Sequence, residues 1–140
     1  MLQNSDILIN KFINMIMRKG KSTTAERIFL KTLYLIKLNT KKSPVYLIKK
    51  ALNNTTPVLY FKPNKRGAKI YKLPAPIKPR RASFLSIKWL VDSATSKLGT
   101  NFEVKLFEEL LHTSNGFSSS TKKKDELYKI LIDNRPFLRF

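Results

Sequence analysis

The chain contains no cysteine. That absence excludes disulfides, thiolate nucleophiles and cysteine-held metals. Histidine occurs once, at His112. With no second histidine and no convergent aspartate, a metal would lack a ligand set. Acid is scarce as well: nine Asp and Glu stand against 28 Lys and Arg. Glycine and alanine are few, while Lys, Asn, Ile, Leu and Phe abound. An AT-rich genome gives that bias, and organelle genomes are often AT-rich. No apolar run approaches the ~20 residues that cross a bilayer. The opening "MLQNSDILINKF" has no basic stretch before a long apolar one and carries Asp6. Neither a signal nor a transit peptide is expected there.

What is present is enough apolar residue for a core, 42% of 140 residues, the size of one ordinary domain. The formal net charge is +19. Such a charge repels itself in a compact chain, which points to a polyanionic partner. The charge is uneven. From Arg27 to Lys88 there are sixteen basic residues and no acid. From Lys97 to Arg139 there are eight basic residues, and seven acids lie between Asp92 and Asp133. The middle therefore faces the polyanion, and the last third suits solvent or protein neighbours.

Periodicity predicts mostly helices. Helix one starts at Ser5 or Asp6, buries Ile9, Phe12, Ile13, Ile16 and Met17, and ends at Gly20. Helix two opens on a Thr23–Glu26 capping box and buries Ile28, Phe29, Leu33 and Ile36. Helix three has Ser43 as cap, Pro44 at its first position, and Val45, Ile48, Ala51 and Leu52 inward. The period then changes. Residues 57–78, "PVLYFKPNKRGAKIYKLPAPIK", have β-rich arms around a glycine-containing centre, a hairpin in which Pro57, Pro63, Pro74 and Pro76, with Pro79 just after, exclude a central strand. Helix four follows, with Phe84, Ile87, Leu90, Val91 and Ala94 at helical spacing. Helix five has a second box, Thr100–Glu103, and a core face of Phe102, Leu106, Phe107, Leu110 and Leu111. "TSNGFSSSTK" reads as a loop. Helix six runs from about Thr121 to Asn134 with Leu127, Ile130 and Leu131 inward, and Pro136 stops it.

Several constellations could carry chemistry. "GKST" at residues 20–23 resembles the tail of a phosphate-binding loop, but Met15 stands where that loop needs glycine after a strand. It reads as a helix connection. Glu108 one turn before His112 could form a general base, but a helical, partly exposed histidine is the simpler reading. Trp89 and most phenylalanines sit at core spacing. Phe61 and Tyr71, on the hairpin arms, are the rings better placed to stack on bases. Lys122 to Lys124 read as a solvated helix start. Lys62, Lys65, Arg66, Lys69 and Lys72 make the ribbon strongly basic. That charge resists edge aggregation and also fits nucleic acid. Arg80 and Arg81 are out of place at a helix start, where cations are disfavoured by the macrodipole. A neighbouring anion reverses that sign.

The motif "KFINMIMRKGKSTTAERI" closely resembles the first two helices of the small-subunit ribosomal protein seven family. "RGAKIYKLP" is similar to its hairpin, "PRRASFLSIKWLVDSA" to its fourth helix, and "NRPFLRF" to its ending. The resemblance covers nearly the whole chain in one order. There are departures. The chain starts almost at helix one, where the family usually has a basic extension. Ala68 replaces the second hairpin glycine. The arginine pair is displaced by one residue relative to the tryptophan, and "FLRF" is shorter than the usual ending.

The resemblance implies a mainly α fold: a bundle of about six helices with one projecting β-hairpin between helices three and four, as a single rRNA-binding domain over residues 1–140. It implies a non-catalytic constituent of the small ribosomal subunit, bacterial or organellar in type. Such a protein binds the 3′ major domain of the rRNA, nucleates head assembly, and lies near the exit-site tRNA and the mRNA path. Small-subunit proteins nine and eleven are the implied neighbours. No cofactor and no membrane are expected. The expected rRNA contacts are Lys11, Asn14, Arg18, Lys19, Lys21, Lys62, Lys78, Arg80, Arg81 and Arg139. Lys65, Arg66 and Lys69 are expected near tRNA and mRNA. Composition adds the mitochondrial matrix as the compartment, with plastid or bacterial cytoplasm as alternatives. The rival readings are a DNA-bending architectural protein and an RNA-processing enzyme using Glu108 and His112.

Overall fold

Residues three and four apart share one helix face, and the apolar stripes of this chain close on one another accordingly. The computed structural model describes residues 2–99 and 101–139. In chain order they form α1 (Leu2–Ile16), α2 (Ser22–Thr40), α3 (Pro44–Thr55), β1 (Leu59–Arg66), β2 (Lys69–Pro76), α4 (Pro79–Ser96), α5 (Phe102–Ser114) and α6 (Ser119–Asp133). A 3-10 turn at Arg135–Arg139 follows. The mainly α fold, its six helices and the position of the hairpin are as expected.

α5 is the central helix, packing against α2, α3, α4 and α6. Leu106 and Leu110 of α5 meet Phe29 and Ile36 of α2, Ile48 and Ala51 of α3, and Leu90 and Ala94 of α4 in one cluster. α1 joins it through Phe12, whose ring stacks on Phe29 at 5.3 Å. Burying side chains of this size contributes about 1.5–3 kcal/mol each.

Some element ends differ from expectation. α1 stops at Ile16, and Lys19 and Gly20 take φ of +55° and +72°. That reversal starts α2 at Ser22, so Thr23 lies inside the first turn and forms no cap; Lys21 is the N-cap, without a side-chain bond. Asn101 is the N-cap of α5; Thr100 lies outside the described residues. The serine-rich segment is only partly loop. Ser118 caps α6 and exchanges bonds with Thr121 in a capping box, so the helix begins two residues earlier than the periodicity shows. Ile130, expected inward, is exposed.

The hairpin pairs Leu59 with Pro76 through Arg66 with Lys69, antiparallel. Gly67 and Ala68 make a two-residue turn, with Gly67 at φ +63° and Ala68 outside the positive region. This is the type II′ pattern, which needs glycine only at its first position. Ala68 is therefore compatible with the turn. The ribbon does not project freely along its whole length. Val58 N–H donates to the Tyr128 hydroxyl of α6 at 2.9 Å. The Tyr71 ring lies 4.4 Å from that of Phe137, and Arg66 Nη2 donates to the Phe137 carbonyl at 3.4 Å.

Candidate nucleic-acid interface

The start of α4 is built by proline and by the returning hairpin. Pro79 holds the first helical position behind Lys78, whose side chain makes no capping bond, and the first turn carries no acid. The backbone N–H groups of Arg80 and Arg81 are thus the orphan donors of this turn. Both arginine side chains are exposed. The Arg81 guanidinium lies 6.0 Å from the Tyr60 ring centre and 5.3 Å from that of Phe84. Lys88 Nζ stands 6.0 Å from the same Phe84 ring.

On the hairpin side, Tyr60 stacks on Phe61 at 4.3 Å, and Lys72 Nζ sits 5.0 Å from Phe61. Lys72, Phe61, Tyr60, Arg81, Phe84 and Lys88 therefore form a continuous row of three cations and three rings. Cation–π contacts of this kind contribute about 0.5–1 kcal/mol at exposed sites. Their larger effect here is to fix the direction of Arg81.

Phe84 was expected in the core. It is 40% exposed, and the groups that lie over its ring are Arg81 and Lys88 of its own helix. Phe84, Lys88 and Tyr60 join the candidate site although the sequence pattern did not single them out for it. The available signal was the i, i+3, i+7 spacing of Arg81, Phe84 and Lys88, which places them along one helix face.

A second group of cations lies toward the other end of α4. Arg18 and Lys21, in the α1–α2 connection, border a cleft of about 620 Å³ with Met15, Asp92, Phe102 and Lys105. Residues 81 and 95 of α4 are about 21 Å apart at 1.5 Å per residue. The two groups are joined by the exposed side of α4, through Phe84 and Lys88.

Of the other expected contacts, Asn14, Lys19, Lys62 and Lys78 are exposed and Lys11 is half-buried. The Arg139 side chain lies outside the described residues. The three expected tip residues are not equivalent. Alternation along the strands puts Lys65 with Ile70 on one face and Arg66 with Lys69 on the other. Lys65 and Lys69 are exposed, whereas Arg66 is half-buried against Phe137. Tyr71, expected to be open to bases, is covered by the same phenylalanine.

A family profile described as ribosomal protein S7p/S5e matches residues 2–135. The chain belongs to this family. It is 36% identical to small ribosomal subunit protein uS7 of Petrotoga mobilis over 135 residues, 96% of this chain and 87% of that protein. Over 133 residues it is 38% identical to uS7 of Carsonella ruddii, spanning 95% of this chain and 85% of the relative. With uS7 of Thermomicrobium roseum the identity is 32% over 133 residues, again 95% and 85% of the two chains. The chain is thus a structural constituent of the small ribosomal subunit and acts in translation; the family is not enzymatic.

The enzyme reading rested on Glu108 and His112. Glu108 and His112 are both exposed. Their neighbour Glu109 is fully buried and serves the fold. Its Oε1 accepts from Ser120 Oγ at 2.6 Å and from Ser120 N–H at 3.3 Å, and Oε2 lies 3.3 Å from Lys97 Nζ. A carboxylate at the first turn of α6 is favoured by the helix dipole. It ties α5 to α6 and to the end of α4. "GKST" joins two helices, with no strand ahead of it.

Proposed function

We propose that this chain, as one rRNA-binding domain, binds the 3′ major domain of the small-subunit rRNA, and that this binding nucleates assembly of the subunit head. The supporting observation is Arg81, held between Tyr60 and Phe84 at a helix start that no side chain caps. A phosphate placed there meets two guanidinium forks and the free backbone N–H groups together. An unstacked base beside it can lie on the exposed face of Phe84. Arg18, Lys19 and Lys21 extend the contact along α4, with Lys11, Asn14 and Lys62 at its margins, and Arg139 is a further contact of this reading.

The hairpin tip carries Lys65 and Lys69 toward exit-site tRNA and mRNA. Its eight-residue strands reach about 26 Å at 3.3 Å per residue. Small-subunit proteins nine and eleven are the protein neighbours of this reading, which family membership supports. The mitochondrial matrix is its compartment, on composition alone; the relatives named above are bacterial. A mitochondrial fraction without the chain removes that compartment and leaves the ribosomal role intact.

The test is filter binding at one fixed salt concentration with three probes. These are a transcript of the 3′ major domain, an equally long transcript of another rRNA domain, and duplex DNA. At least tenfold preference for the first is expected. Equal affinity for duplex DNA favours a DNA-bending protein instead. Phe84→Ala should weaken the first complex by about 1–3 kcal/mol, the value of one base–ring stack, and leave the DNA complex nearly unchanged.

A further inference from the structure

RNA binding does not account for the outer face of α2. Ala25, Phe29, Thr32 and Ile36 bury one stripe of this helix. On the other side Leu30, Tyr34 and Leu38 are 56%, 63% and 56% exposed. Their spacing of four residues aligns them in one ridge. Leu30 and Tyr34 border an open depression of about 430 Å³, together with Thr23, Glu26, Arg27 and Lys31. Single exposed apolar residues are ordinary, but a row of three on the face turned from the core marks an interaction surface.

RNA is a poor occupant. A leucine side chain offers neither a hydrogen bond nor a ring face, and nucleic acid is contacted through cations, polar groups and rings. A protein helix suits the ridge, because i+4 ridges pack into the grooves of a facing helix. The surrounding charge narrows the partner further. Arg27, Lys31 and Lys37 of α2 and Lys41 at its C-cap are all exposed, and Glu26 is the only acid on the helix. Lys31 already approaches a carboxylate within the chain, Glu103 at 3.9 Å.

We infer that the outer face of α2 docks an acidic amphipathic helix of another protein. The apolar side of that helix covers Leu30, Tyr34 and Leu38, and its Asp and Glu side chains meet Arg27, Lys37 and Lys41. Covering residues 30 to 38 takes about 12 Å of helix, a little over two turns.

The experiment uses small ribosomal subunits that carry the chain with Tyr34→p-benzoylphenylalanine. After irradiation, the cross-linked product is digested and sequenced. The expected product is a protein peptide in which apolar residues at helical spacing alternate with Asp or Glu. Adding Leu30→Glu and Leu38→Glu should lower its yield at least tenfold with helical circular dichroism unchanged, since both leucines are exposed. A cross-link to rRNA, a cross-link to a second copy of the chain, or a partner peptide without acids overturns the inference. So does an undiminished yield from the leucine variant, or no cross-link at all. A second probe, Arg81→p-benzoylphenylalanine, reports on the rRNA reading separately. Its failure to reach rRNA bears on the proposed function and not on α2.

Discussion

Arg80 and Arg81 show how one position can be unfavourable alone and favourable in a complex. At a bare helix start the macrodipole costs a few tenths of a kcal/mol per cation. Replacing both with Glu should leave the free chain folded, yet weaken rRNA binding by about 3 kcal/mol or more as charge-assisted bonds become repulsion. The control is reversal of Lys122, Lys123 and Lys129, a larger charge change made at the far end of the chain. Lys124 is left out, because its Nζ donates to the Asn54 carbonyl at 3.4 Å. Equal losses in a binding titration would mean that net charge alone matters. Glu109 is the opposite case, a charge kept for the fold. Glu109→Ala strands Lys97 and the α6 N-terminus and should cost about 3 kcal/mol in chemical denaturation. Glu109→Gln keeps an acceptor for Ser120 and should cost nearer 1 kcal/mol. Neither change should alter rRNA affinity of the folded protein.

Among the elements, the hairpin is anchored along one face, from Val58 at its base to Arg66 beside the turn. Its base is held by Tyr128, and Tyr71 and Arg66 rest on Phe137. The tip beyond Pro63 adds little to the core. Deleting residues 63–68 should leave helical circular dichroism intact and cost about 1 kcal/mol, chiefly through the lost Arg66 bond. It should weaken tRNA or mRNA contacts more than rRNA binding. A collapse of the helical signal would show that the body depends on the ribbon. α6 bears on the same question. Its first turn is fastened by the Ser118–Thr121 box and by Glu109, so it forms a firm wall behind the hairpin base.

For the whole molecule, a charge of +19 on 140 residues governs how it meets RNA. Each phosphate neutralised releases condensed counterions, so affinity should fall steeply with salt. Six phosphate contacts predict a loss of about three decades between roughly 50 and 200 mM salt. A flat titration would remove the electrostatic account. The largely balanced C-terminal third contributes little to this slope, and its acids serve packing or solvent. Arg81 lies on α4, and Arg18 and Lys21 border a cleft lined by the far end of the same helix, so variants in both should lower the slope together.

The helices, their order and the hairpin were legible in the sequence, because a period of 3.6 or of 2 is a local property that needs no partner. The basic middle, the arginine pair and the family motifs were legible for the same reason. Tertiary contacts decided the rest. Phe84 has the spacing of a core residue, and only the packed structure shows its ring 40% exposed, with Arg81 and Lys88 over it. Glu109 has the look of a solvated helix residue, and only the arrival of Ser120 and Lys97 allows its burial. Tyr71 is closed to bases by Phe137, 66 residues further along the chain. Local pattern sets which faces are apolar, but burial depends on which distant element covers each face, and that is a property of the packed chain.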